Sequence, residues 1–231
     1  MQLSLFAEAE MRPPLPALPL ERDMIFYALL LGPQLWLPAS RLMAAERDLH
    51  GLTGKLRTTD TFHISVLGFG FADELTVDDI AFAVAIGSEV AFEPFALNFT
   101  HLLSFGAHKK PSVPAAIVLT PADGSAVIGL GDRLVAAMLG RGVRPRSFKP
   151  ETPHLTLLYD TVRVPPTPLA APIPVSVDGF ALVYSHRGQG RYTILWRSAQ
   201  HQSGPTPRPP APVRRRPKLP EPPVVGELFE P

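Results

Sequence analysis

The chain has no cysteine among its 231 residues, and that excludes disulfides, thiolate metal ligands and a cysteine nucleophile at once. It also fits a reducing compartment. An excess of one charge is missing too: 22 basic residues face 21 acidic ones, for a net charge of +1. Any nucleic-acid contact must therefore come from a local patch rather than from a field over the whole surface. No run is long enough to cross a bilayer. The most apolar stretch, "MIFYALLLG" (24–32), is far shorter than the ~20 residues a spanning helix needs. The first residues, "MQLSLFAEAEM", lack the basic start and long apolar core of a secretion signal. The expectation is a soluble, cytoplasmic protein. No carboxylate cluster suggests a metal site, so neither a metal nor a cofactor is expected.

Proline is plentiful, and it divides the chain. Residues 11–20, "MRPPLPALPL", hold four prolines, and residues 201–231 hold ten of the 28. Neither segment can pack a core. The expected organisation is a flexible tail and proline-rich linker over 1–21, a folded domain over 22–199, and a disordered Pro/Arg-rich tail over 200–231.

Within the domain, "MIFYALLL" reads as a buried strand. "LPASRLMAAERDLHGL" follows as a helix with Pro38 near its start and Leu42, Ala45 and Leu49 on one face. "TVDDIAFAVAIGSEV" opens on Thr76 as N-cap with two aspartates in the first turn. "AVIGLGDRLVAAMLGRG" reads as a helix ending on glycine. "TFHISVLGFG", "FALNFTHLLSF", "AAIVLT", "PHLTLLYD", "VSVDGFALVYS" and "RYTILWRS" read as strands. Strands outnumber helices and several are consecutive, which points to an α+β fold with antiparallel sheets.

Two of these strands share a plan. "FHISVLGF" and "PHLTLLYD" each place a histidine, an apolar residue and a hydroxyl residue in succession. Side chains alternate along a strand, so His63 and Ser65 share one face, as do His154 and Thr156. Phe62, Ile64 and Val66, and in the second copy Leu155 and Leu157, take the other. One copy would mean little. Seven histidines and 25 Ser and Thr residues yield about one such pair by chance, and "HQS" (201–203) is an instance. Two copies in matching strands, 91 positions apart, carry more weight, although two satisfied core histidines remain the simpler alternative. If they face each other across a phosphate, one imidazole can take a proton from water and the other can give one to a leaving oxygen. The hydroxyls can hold the non-bridging oxygens. Hydrolysis of a phosphodiester, such as a cyclic phosphate, suits this set.

These residues resemble the paired His-x-Thr/Ser motifs of the two-histidine (2H) phosphoesterase superfamily. The likeness is greater to its bacterial 2′-5′ RNA ligase-like branch, the RNA 2′,3′-cyclic phosphodiesterases. It extends over most of 22–199, including "PFALNFTHLLSFG" and "VYSHRGQGRYTIL". The resemblance implies two related lobes of antiparallel sheet plus helices around a central groove, with His63 as general acid and His154 as general base. Ser65 and Thr156 would hold the phosphate. It implies RNA ends or cyclic nucleotides as partners, and ring opening that usually leaves a 2′-phosphate, with 2′-5′ ligation as the reverse. The chain departs from the pattern after the second histidine. Many relatives carry an arginine there, whereas this chain has Tyr159 and Asp160. Tyr159 is then a candidate phosphate ligand without charge, and Arg146, with Arg144 and Lys149, a candidate source of positive charge. His101 and His108 read as structural or surface residues.

"QLSLF" (2–6) resembles the pentapeptide with which bacterial replication proteins dock onto the sliding clamp. Leu3, Leu5 and Phe6 would be the apolar anchors and Gln2 the polar hook. Two readings thus stand beside the enzyme: a module that binds nucleotide or RNA without turnover, and a clamp-interacting protein built on an enzyme scaffold.

Overall fold

The computed structural model describes residues 22–32, 35–105, 113–145 and 149–198. Both tails and Arg146 lie outside them. The strands are β1 (Met24–Leu30), β2 (His63–Phe71), β3 (Phe95–Phe105), β4 (Ala115–Pro121), β5 (Leu155–Asp160), β6 (Thr167–Val177), β7 (Ala181–His186) and β8 (Arg191–Arg197). They form one sheet in the order β6-β3-β4-β5-β2-β1-β7-β8, with every pairing antiparallel. The helices are α1 (Trp36–His50), α2 (Val77–Glu89) and α3 (Ser125–Gly140). The expected α+β class and antiparallel sheet are what the chain has.

The sheet has a seam. Most neighbouring strands pair along much of their length, but β2 and β5 meet in register only at Ile64 and Leu155. On one side of the seam lie β1, β2, β7 and β8; on the other lie β3 to β6. These are the two related lobes.

The continuous apolar run of β1 has a simple cause, since both its faces are covered. Ile25, Tyr27 and Leu29 enter the main core with residues of the helices. Met24, Phe26 and Ala28 join a second cluster with Ala181 and Val183 on the other face. The Tyr27 hydroxyl donates to the Ala83 carbonyl of α2 at 2.6 Å, which fixes α2 over the first face. α2 starts as expected. Thr76 Oγ1 accepts from the Asp79 amide at 3.2 Å, while the Asp79 carboxylate accepts from the Thr76 amide at 2.8 Å, a reciprocal cap. α3 stops at a turn where Gly142 takes a φ of 73°, a conformation that favours glycine.

The structure corrects two elements. The buried face of α1 is not centred on Leu42, Ala45 and Leu49: Ala39 and Met43 are buried and Leu42 packs half-buried beside them, whereas Ala45 is exposed and Leu49 is 71% exposed. Both stripes satisfy helical spacing, so the sequence alone does not choose between them. "VSVDGFALVYS" is not one strand, because β6 ends at Val177 and β7 begins at Ala181, with Asp178, Gly179 and Phe180 between them. The first part of β6, with Pro168, Pro172 and Pro174, does not read as a strand because proline cannot donate to a ladder. It fits here because β6 is an edge strand paired with β3 alone.

Candidate active site

The seam brings the two motifs together. Ile64 and Leu155 are direct partners and fully buried. The residues flanking them, His63 and Ser65 on β2 and His154 and Thr156 on or just before β5, therefore share the opposite face. On the first lobe that face is the Phe26 cluster, where His63 packs against Phe26 with ring centroids 5.2 Å apart. His154 packs edge-on against Phe105 at 4.5 Å.

Each imidazole is held in the same way. His63 Nδ1 lies 2.9 Å from the Thr61 carbonyl oxygen, and His154 Nδ1 lies 2.8 Å from that of Thr152. A carbonyl can only accept, so Nδ1 carries the proton in both rings. The lone pair of the neutral ring then sits on Nε2, leaving that nitrogen for chemistry. Burial pushes the His63 imidazole down to about 4, against the lift from the Thr61 carbonyl, and the charges of Arg57 and His154 push the same way. Burial also lowers His154, against the lift from the Thr152 carbonyl.

Simple alternation fails just past each hydroxyl residue. The pairing of β1 with β2 skips Val66, and that of β4 with β5 skips Leu157. Both are β-bulges, three positions after the respective histidine. In consequence Val66 and Leu67 both enter the main core, as do Leu157 and Leu158. The second bulge returns Tyr159, half exposed, to the side of Thr156. Bulges of this kind are frequent beside functional sites because they re-aim side chains.

The expected residues divide accordingly. His63, Ser65, His154 and Thr156 come together, and Tyr159 lies on the same strand and side. Arg146 is outside the described residues. Lys149 does not reach the histidines, because it pairs with Asp132 of α3. Arg144 borders a cleft with Phe69, Phe82 and Met138 on the helical side of the sheet.

Sequence reasoning missed two residues, Arg57 and Tyr192. Arg57 Nη2 donates to the Tyr192 hydroxyl oxygen at 2.9 Å, and that oxygen lies 3.1 Å from His63 Nδ1. Asp160 has a structural role. Its carboxylate accepts from the Thr53 and Gly54 amides at 2.7 and 2.6 Å, pinning the loop that carries Arg57. Among the described residues, no three His, Asp or Glu side chains converge as metal ligands. No helix among them is long and apolar enough to cross a membrane.

No protein-family model matches the chain, and no curated protein matches it by sequence. Solved structures do match. The protein TT0787 of Thermus thermophilus is similar at 24% identity, over 75% of this chain and 96% of that one, with a TM-score of 0.58. E. coli LigT complexed with 3′-AMP is similar at 20% identity, over 77% of this chain and 97% of that one, with a TM-score of 0.56. A protein solved as a phosphoesterase is similar at 21% identity over the same shares, with a TM-score of 0.54. The two-lobed sheet with a histidine motif on either side of its seam is thus built on the fold of E. coli LigT and of that phosphoesterase.

Proposed function

We propose that the protein is a metal-independent phosphodiesterase of the two-histidine type that opens 2′,3′-cyclic phosphate ends of RNA or nucleotides. The observation that carries this reading is the matched pair of imidazoles. Each is tied at Nδ1 to a main-chain carbonyl two residues earlier, with a hydroxyl residue two positions on, and the two meet at the seam. That LigT was solved complexed with 3′-AMP supports a nucleotide as ligand.

The groups divide the reaction as follows. His154 takes a proton from water as the water oxygen bonds to phosphorus. The bond from phosphorus to one ribose oxygen breaks, and His63 gives that oxygen a proton. Ser65 and Thr156 donate hydrogen bonds to the non-bridging oxygens and hold the phosphorus in line. Breaking the bond to the 3′ oxygen leaves a 2′-phosphate; the same opening with the 5′-hydroxyl of a second RNA in place of water joins a 2′-5′ linkage.

The test is incubation of the full chain in EDTA with a short RNA ending in 2′,3′-cyclic phosphate. Ring opening with a bell-shaped pH profile is expected, and His63→Ala and His154→Ala should each lose about 10²–10⁴-fold. A folded protein that binds the RNA end but does not turn it over would replace this reading with that of a binding module.

We propose separately that residues 2–6 dock onto a sliding clamp. This rests on the sequence "QLSLF" alone, which lies outside the described residues.

A further inference from the structure

The two half-sites differ in what stands behind the imidazole. Behind His154 is Phe105, which offers only hydrocarbon. Against His63 stands Tyr192, edge-on with ring centroids 5.1 Å apart. Its oxygen has two lone pairs: Arg57 Nη2 donates to it at 2.9 Å, and the single Nδ1–H of His63, 3.1 Å away, is shared between it and the nearer Thr61 carbonyl. A guanidinium is thus linked to the first histidine through a single phenol.

Arg57 is placed with care. Its own amide donates to the Leu157 carbonyl of β5 at 2.8 Å. Asp160 holds Thr53 and Gly54 of the same loop. The loop lies so close to β5 that a Cβ on Gly54 would collide with the Tyr159 carbonyl oxygen. The second motif strand therefore carries the loop that serves the first histidine. Arg57 Nε is buried without a hydrogen-bond partner, and among the described residues no carboxylate forms an ion pair with the guanidinium. The charge is held in place. The other charged and titratable groups that act on His63 or Tyr192 are His154, Tyr159 of β5, Asp60 in the turn before β2, and Arg187 between β7 and β8.

Resting on the reading of this groove as a phosphodiester site, we propose that Arg57 and Tyr192 are positioning residues for His63, and that Arg57 makes protonation of His63 depend on the arrival of the anionic substrate. With the groove empty, burial holds His63 neutral, and the guanidinium, one hydroxyl oxygen away, adds to it by opposing a second positive charge. A phosphodiester anion cancels that field and favours the imidazolium, which takes its proton from solvent. The acid is then charged only when there is a leaving oxygen to receive its proton.

The test is a histidine titration followed by NMR on the full chain carrying isotope-labelled histidine, with and without inorganic phosphate. In the wild type, His63 titrates well below the ordinary range without phosphate and moves up by about a pH unit or more with it. In Arg57→Gln the phosphate-free titration itself moves up, the response to phosphate shrinks, and His154 stays where it was. Arg57→Lys, which keeps the charge, holds His63 low. Tyr192→Phe shifts His63, and the Arg57→Gln/Tyr192→Phe double variant shifts it by less than the sum of the two. An unmoved His63 in Arg57→Gln, or no response of the wild type to phosphate, overturns the proposal. Turnover does not enter these readings. Failure of the cyclic-phosphate assay with these titrations intact removes the proposed substrate, whereas unmoved titrations with intact turnover remove only the role of Arg57 and Tyr192.

Discussion

A main-chain carbonyl is the least variable partner an imidazole can have, since substitution of the Thr61 or Thr152 side chain need not remove it. Such partners are invisible in a sequence, whereas the histidines and hydroxyls themselves were legible from the repeated spacing at 63–65 and 154–156. Arg57 was not legible, because its link to His63 passes through Tyr192, 135 positions away. The same burial that shapes the site has a consequence for stability. An imidazole that is harder to protonate when folded binds fewer protons than the unfolded chain between the two titrations. For His63 that window runs from the ordinary value of 6.5 down to about 4, and His154 acts in the same direction. Stability is therefore full above the window and falls as pH drops through it. Urea unfolding should show the protein less stable at pH 5 than at pH 7 by about 1–2 kcal/mol on account of His63, partly open to solvent as it is. His63→Asn should remove that share of the slope.

At the scale of elements, the sequence was readable wherever one periodicity held. The α2 cap at Thr76, the glycine stop of α3 and the span of β3 follow from local chemistry, and the structure has them. Reading failed where a neighbour decides. Val66 and Leu157 could not be recognised as bulges, since "VL" and "LL" continue an apolar strand as well as they interrupt one. The beginning of β6 was lost because its prolines exclude a central strand, and only the sheet order reveals an edge. α1 shows the same limit: two apolar stripes compete, and Met43 is buried in the core while Leu42 only borders it and Leu49 faces solvent. Met43→Ala should cost about 2–4 kcal/mol, while Leu49→Ala should stay within about 0.5 kcal/mol. Chemical denaturation of the two variants compares the stripes directly, and the reverse order would return α1 to the face read from its sequence.

For the whole molecule, the resemblance implied two lobes around a groove and no strand order; the seam at Ile64 and Leu155 needed coordinates. Clamp docking also belongs to this scale, because it concerns what the chain does with a segment outside the described residues. A peptide of residues 1–12 should bind the clamp with a dissociation constant of about 10–100 μM or better, and lose binding when Leu5 and Phe6 become alanine. No binding in that range ends the idea.

The seam also sets an order of assembly. Residues 95–177 make up β3 to β6 without interruption, whereas the other lobe is assembled from 24–71 and 181–197. During synthesis the interior lobe emerges complete while its companion still waits for β7 and β8. Tyr192 arrives with β8, so the setting of His63 is finished by the last of the described strands to leave the ribosome. A nascent chain stalled before that point carries both histidines but not the phenol that links one of them to Arg57. The surroundings of His63 are thereby completed only when β8 joins the sheet.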